Sequence, residues 1–240
     1  MRGAIAVLFA LAVAALCVRL GFWQLDRLAQ RRAANASLRE AMALPEIDLP
    51  DSFASVARNP SAYVYRRVRL RGTYDASHEL VLRGRSEGGN PGVHLTAPLL
   101  LGGDLAVMIN RGWVPAADAA TVDIRPFAEP GAREVEGILL AAPATTDAEP
   151  LDVSVAGTRL RTFARLPLDS LRAAGPPILL PLYVQQLGGT PPAGPLPRRV
   201  GVPPLDEGPH LGYAVQWFSF AAIALGGLAL LLVRSRRRGR

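Results

Sequence analysis

The sequence predicts a membrane protein in which two transmembrane α-helices, N- and C-terminal, flank an extracytoplasmic, mainly antiparallel β (α+β) domain. Three observations predict this fold class. The stretch 211–233 has 23 residues without a charge, which is long enough to cross a bilayer as a helix. Gly3 to Val18 is also uninterrupted apolar sequence. Between these stretches, short runs with strand-like alternation are separated by turn residues, as in a small antiparallel sheet or barrel.

Residues 1–25 are predicted to form the first transmembrane helix. A cleaved signal peptide is the alternative, with 12–14 as a small-residue cleavage site. The apolar character continues past that site, and small residues recur at helical spacing, which favours a retained helix that packs against another helix. Trp23 is then expected at the membrane interface. The small residues of this row are Ala6, Ala10, Ala14, Cys17 and Gly21.

Residues 26–209 are predicted to form the β-rich domain with its linker. Residues 26–42 continue the first helix, and Pro45 and Pro50 end it. A short helix at 168–173 precedes the last strand, and the Pro- and Gly-rich stretch 188–209 links the domain to the second span. Strands are expected at Arg66–Tyr74, Glu79–Arg83, Val93–Leu101, Leu105–Asn110, Glu134–Ala141, Arg159–Arg165 and Ile178–Gln186, with turns at Ser86–Gly92 and Gly102–Asp104.

Residues 210–233 are predicted to form the second transmembrane helix, followed by the basic tail 234–240. Five Arg in that tail are the strongest positive-inside signal, so both termini are expected in the cytoplasm and 26–209 in the periplasm. A basic cluster after the first span argues the other way, although long translocated loops follow the charge rule poorly. That cluster consists of Arg27, Arg31, Arg32 and Arg39.

The distribution of charge excludes nucleic acid as a partner. The net charge is +7, but residues 26–209 hold 20 Arg and all 20 acidic residues, which cancel. The excess comes from Arg2, Arg19 and the tail, which flank the apolar segments and meet lipid head groups. The domain therefore has no net positive charge to indicate the basic face that nucleic-acid binding first requires. Membrane lipid is therefore the expected partner of these charges.

The usual catalytic constellations are missing, so we expect the protein not to be an enzyme. The sequence contains no Lys, and its single Cys17 lies in the first apolar segment, which excludes lysine-dependent catalysis and a cysteine zinc site. It contains no phosphate-binding loop, paired-His signature or nucleophile elbow. Of the widely separated histidines, His78 is expected in an exposed turn and His94 as a hydrogen-bonded sheet residue.

The second span opens with an imidazole and two aromatic rings on one helical stripe. At 100° per residue, His210, Tyr213, Ala214 and Trp217 share a face, which continues as Ala221, Ala224 and Leu228. Such a group at the end of a membrane span can hold a flat, apolar, metal-containing ligand such as haem, since neutral imidazole is a ligand of haem iron. The alternative for His210 is a polar residue that holds a backbone group at a helix start.

The run Asn110–Pro115 is the other distinctive stretch. A Gly between Arg111 and Trp113 at a strand end predicts a bulge or a close backbone approach. One interpretation is a structural turn with a stacked Trp. The other is that an Arg fixed beside an indole binds a carboxylate, such as a haem propionate, bidentately.

Five motifs along the chain resemble those of a known family. The motifs are Gly21–Arg27, Tyr65–Val68, Gly72–Tyr74, Asn110–Pro115 and His210–Phe218. In their order, and in the layout of two spans around a large outer loop, they resemble the surfeit locus protein 1 family of cytochrome c oxidase assembly factors. The resemblance covers essentially the whole chain, whereas residues 116–176 contribute little to it.

The resemblance implies a factor that binds haem a transiently and assists its insertion into the catalytic subunit of a haem–copper cytochrome c oxidase. It implies oxidase subunit I, other assembly factors and haem a synthase as partners, in the bacterial cytoplasmic (inner) membrane. His210 is implied as an axial ligand of the haem iron. Further cofactor-site or fold residues are implied: Trp23, Gln24, Arg111, Trp113, Tyr213 and Trp217.

Two other functions stay open at this point. A membrane scaffold that stabilises subunit I or other assembly factors, without holding haem, would use the same motifs to build the fold. An extracytoplasmic sensor or membrane enzyme is the third hypothesis.

Overall fold

The computed structural model describes residues 2–143, 150–155, 157–175, 177–192 and 194–238. The chain forms two compact units, Met1–Arg39 with Pro204–Arg240, and Glu40–Pro203. The helices are α1 Arg2–Ala43, α2 Leu49–Arg58, α3 Leu168–Ala173 and α4 His210–Arg238. The strands are β1 Ile47–Asp48, β2 Arg67–Tyr74, β3 Leu80–Glu87, β4 Asn90–Gly102, β5 Leu105–Pro115, β6 Ala132–Leu140, β7 Leu151–Val155, β8 Thr158–Phe163 and β9 Ile178–Gly189.

The first unit is a pair of long apolar helices. Both α1 and α4 are long and apolar enough to cross a membrane, and only 17% and 6% of their most apolar windows are buried within the protein. A core helix of a soluble domain would instead bury its apolar stripe. The predicted layout of two apolar terminal helices around a β-rich domain is confirmed, and α1 continues to Ala43 as expected.

The two helices approach closely where the sequence places small residues. Gly21 is buried, and a Cβ there would lie 2.6 Å from the ring of Phe218, so only hydrogen at this position allows the contact. The same ring meets Phe22 edge-on, with centroids 5.4 Å apart. Small side chains on both helices are buried, which confirms the predicted packing faces in part, since Ala6 is exposed and Ala10 and Ala224 are only partly buried. The buried ones are Ala14 and Cys17 of α1, with Ala214 and Ala221 of α4.

The second unit is a nine-stranded mixed sheet in the order β1-β2-β6-β9-β5-β4-β3-β8-β7. Strand β2 also pairs with the end of β4, through Thr73–Leu100 and Tyr74–Leu99, so that β2, β6, β9, β5 and β4 close into a small barrel. Its core contains side chains from all five strands, covered by Leu49, Phe53 and Val56 of α2. Most strand pairs are antiparallel, as predicted, while β1–β2, β3–β8 and β5–β9 are parallel.

The alternation of apolar and basic residues in β2 places the strand as predicted. Val68 and Leu70 are buried, and the intervening arginines are exposed. Two local expectations were wrong, and one strand was missed. Pro50 occupies the first turn of α2 rather than ending a helix, since that position needs no N–H donor. Strand β7 was not anticipated, and β3 and β4 extend through most of the expected Ser86–Gly92 turn.

His94 is a sheet residue, as expected, and lies partly buried on β4. Its Nδ1 is 3.1 Å from the amide nitrogen of Asn110 on the neighbouring β5. Burial, with a smaller contribution from the Arg85 charge, lowers the pKa of His94 from 6.5 to about 4. The unfolded chain therefore binds this proton more readily than the folded chain between these pH values.

We predict that His94 makes the domain less stable at mildly acidic pH. The contribution of the neutral imidazole is complete above pH 6.5 and is lost as the pH falls towards 4, because protons then favour the unfolded chain. His94→Gln should reduce the drop in Tm between about pH 7 and about pH 5, where ordinary carboxylates hardly titrate. The measurement is thermal unfolding of the full chain in detergent, followed by circular dichroism.

The matched control is His78→Gln, since His78 lies exposed in the short Ala76–His78 turn beside Asp75. Equal Tm drops in wild type and His94→Gln would contradict the assignment.

Candidate functional site

His210 is the first residue of α4 and faces the neighbouring helix. Its Nδ1 lies 2.8 Å from Oε1 of Gln24 on α1. The preceding turn directs the imidazole: the Asp206 carboxylate accepts a hydrogen bond from Gly208 N at 3.0 Å, and Tyr213 N donates to Pro209 O at 3.1 Å. Two motifs that are far apart in the sequence, one on each helix, therefore meet at one point.

The pair determines which nitrogen of His210 is available to a ligand. An amide oxygen only accepts hydrogen bonds, so Nδ1 of the neutral imidazole carries the proton and Nε2 keeps its lone pair. Among the residues described, none is hydrogen-bonded to Nε2. A Cβ at residue 208 would lie 3.4 Å from Nε2, and Gly208 leaves that space open. This is the tautomer and orientation that an imidazole needs to bind a metal.

The segment before His210 is fixed to the extension of α1. Arg32 donates to both oxygens of Glu207, at 2.9 and 2.8 Å, and the buried Asn35 amide donates to Asp206 O at 3.0 Å. The hydrogen bond from Arg32 lowers the pKa of Glu207. These contacts hold the turn that positions the imidazole.

A recess of about 320 Å³ lies beside His210 and is lined by Arg27, Gln30, Arg31 and His210. Arg27 donates to the Gln30 amide at 2.9 Å, and its guanidinium lies 5.8 Å from the centre of the Trp23 ring. The recess thus combines an imidazole with two cationic side chains.

Exposed aromatic rings surround this end of the helix pair. Trp23 is 50% exposed and Tyr213 48% exposed, while Trp217 is half-buried and packs edge-on against Phe220 with centroids 5.9 Å apart. Tyr213 is thus more exposed than Ala214, although the two were predicted to share one helical face. The structure brings Trp23, Gln24 and His210 into one unit with Tyr213 and Trp217.

Arg111 and Trp113 belong to the other unit. Gly112 pairs with Leu95 and Asn110 with Thr96, so Arg111 is the extra residue of a β-bulge, as predicted. Gly112 has a φ of 131°, and a Cβ there would collide with the carbonyl oxygen of Arg198. The bulge turns the Arg111 side chain into the domain.

Arg111 is only 2% exposed, and its guanidinium binds other groups of the protein. It pairs with Glu79 at 2.5 Å and with Glu129 at 3.0 Å, donates to Phe127 O, and lies 5.0 Å from the Tyr74 ring centre. Burial raises the pKa of Glu79 although Arg111 opposes this shift. The Arg111 cluster (Arg111, Glu79, Glu129 and Tyr74) stabilises the domain, and the cofactor-binding role of Arg111 stays a prediction.

The expected linker contributes to the same cluster. Arg198 pairs with the backbone of Trp113 through two hydrogen bonds of 2.8 Å and places its guanidinium 5.7 Å from the buried indole. Arg199 donates to Arg111 O at 2.5 Å and lies 3.5 Å from Glu129. Sequence reasoning missed Glu79, Glu129 and Arg199, since they come from separate loops without a recognisable spacing.

Within the described ranges, no cluster of three or more His, Cys, Asp or Glu side chains is placed to hold a metal ion. A single imidazole is enough as the protein ligand of a haem iron, because the porphyrin nitrogens supply the ligands in the plane of the ring.

A family model described as the SURF1 family matches residues 11–222, which include most of α1, the whole sheet and the first part of α4. The chain belongs to the SURF1 family. The predicted resemblance is therefore confirmed, and the match spans both Gln24 and His210.

Similar proteins within the SURF1 family occur in distant organisms. A SURF1-like protein of Mycobacterium tuberculosis is 29% identical over 90% of this chain and 79% of its own length. A SURF1-like protein of Rickettsia bellii is 25% identical over 85% of this chain and 81% of its own length. One of Monosiga brevicollis is 26% identical, with coverages of 92% and 83%.

We predict that Arg111→Met destabilises the domain strongly. It would leave the buried Glu79 and Glu129 carboxylates without their cation, which costs about 3–5 kcal/mol. Urea unfolding of the full chain in detergent, followed by tryptophan fluorescence, measures this loss. The control Arg159→Met breaks an exposed pair with Asp152 and should cost less than about 1 kcal/mol. Equal losses would show that Arg111 is not a structural cation.

Proposed function

We propose that this protein is an assembly factor of haem–copper cytochrome c oxidase that binds haem a transiently and assists its insertion into the catalytic subunit. Its membership of the SURF1 family supports a role in oxidase assembly. Subunit I, other assembly factors and haem a synthase are the proposed partners, and the protein is proposed not to be an enzyme.

The observation that carries the haem proposal is the hydrogen bond between Gln24 and His210. Haem iron supplies a coordination position for one neutral imidazole nitrogen. His210 meets this requirement because Gln24 accepts a hydrogen bond from Nδ1. This leaves the lone pair of Nε2 available to a metal ion. A single protein ligand suits transient binding, since it can be exchanged for a ligand on the acceptor protein.

The surroundings of His210 also fit the group. Exposed rings of Trp23 and Tyr213 lie at the same end of the helix pair and offer apolar surface to a porphyrin face. The exposed apolar faces of α1 and α4 provide a lipid-facing surface for the hydrophobic tail of haem a. We place both termini in the cytoplasm and the β domain in the periplasm of a bacterial inner membrane, from the basic tail 234–240.

The decisive experiment is purification of the full chain from cells that make haem a. The wild type should retain haem a in its absorption spectrum, and His210→Ala should lose it while keeping its circular dichroism. Absence of haem a from the wild type despite ample supply would overturn the carrier and favour the scaffold, which needs only partner binding.

We predict that Gln24→Leu weakens haem a binding about 10- to 100-fold, because loss of the acceptor frees the ring to rotate and to change tautomer. Titration of the purified apoprotein with haem a, followed by absorbance, measures the affinity. Gln216→Leu makes the same change at an exposed position of α4 and should leave the affinity unchanged. Equal effects of the two substitutions would rule out an orienting role for Gln24.

A further inference from the structure

We propose that Arg27 and Arg31 bind the two carboxylates of the haem whose iron is held by His210, an inference that rests on the function proposed above. The ligand class is a tetrapyrrole that carries two anionic side chains. Family membership does not assign these residues, and the inference depends on three observations.

The first observation is position. Arg27 and Arg31 are four residues apart on α1, so their side chains leave the same face of the helix one turn apart. Both line the recess that also contains His210. A ligand bound to His210 through a metal at its centre would therefore reach the two guanidinium groups with its edge.

The second observation is unbalanced charge. In the parts of the chain that the structure describes, neither Arg27 nor Arg31 forms an ion pair with a carboxylate. The neighbouring Arg32 is neutralised by Glu207 on both oxygens, and the buried Arg111 by Glu79 and Glu129. Arg27 and Arg31 thus keep donors for a bidentate acceptor, which is the geometry that guanidinium groups offer to carboxylates.

The third observation concerns topology. The basic cluster after the first span opposes the orientation indicated by the tail 234–240, since arginines close to a span favour the cytoplasmic side. Arg32 has a local reason for its position in its pair with Glu207. Binding of an anionic ligand next to His210 would likewise explain why Arg27 and Arg31 lie directly after the first span.

The test compares haem a with its dimethyl ester, which keeps the iron and the ring but has no carboxylate charge. Both are titrated into the full chain in phosphatidylcholine nanodiscs, so that no anionic lipid competes. In the double variant Arg27→Gln/Arg31→Gln, affinity for haem a should fall about 100-fold, roughly tenfold or more for each charge-assisted contact. Affinity for the dimethyl ester should be the same as in the wild type.

Two controls separate this inference from the proposed function. Arg39→Gln removes the same charge from an exposed position of α1 outside the recess and should leave both affinities unchanged. His210→Ala should lose both ligands.

Three outcomes would contradict the inference. If the double variant bound haem a as tightly as the wild type, the carboxylate site would be wrong while the proposed haem function would stand. The same would follow if the double variant lost as much affinity for the dimethyl ester as for haem a. If the wild type bound neither form, the proposed haem function itself would fail, and this inference with it.

Discussion

The candidate site depends on one hydrogen bond between two apolar helices, from Nδ1 of His210 to the amide oxygen of Gln24. Both side chains are partly buried between the helices, and each satisfies the hydrogen-bonding capacity of the other. The small-residue contact of Gly21 with Phe218 brings the helices close enough for the bond, and the Arg32–Glu207 pair holds the turn before His210. Together these contacts fix the rotamer and the tautomer of the imidazole.

The β domain depends on a different constraint, the neutralisation of buried charge. The bulge at Arg111 turns a guanidinium inward, where Glu79 and Glu129 balance it. Arg199 adds a second cation from the segment that follows β9, so the path of that segment over the sheet is specified by charge as well as by backbone pairing. Such a cluster specifies one arrangement because any loss leaves a carboxylate or a guanidinium buried without its partner. The structural role in the domain is sufficient to explain an arginine at residue 111.

The elements that follow from local periodicity were predictable, and the contacts between distant segments were not. The apolar helices, the small-residue rows, strand β2 and the short helix 168–173 are all encoded in spacing within one segment. The parallel pairs, strand β7 and the pairing of Arg198 with Trp113 depend on which segments meet, which spacing cannot tell. In the candidate site, the spacing along one helix predicted His210. Its hydrogen bond to Gln24 depends on how the two helices pack and could not be predicted. The carboxylates around Arg111 lie in loops that carry no pattern.

The most direct test of the central claim is the tautomer of His210 in the full chain. With ¹⁵N-labelled histidine in a detergent micelle, only three imidazoles contribute to the spectrum, and His210→Ala assigns the signal. We predict a neutral ring protonated at Nδ1, with an unprotonated Nε2 whose resonance is lost or shifted when haem a is added. A ring protonated at Nε2, or an Nε2 signal that haem a leaves unchanged, would contradict the account.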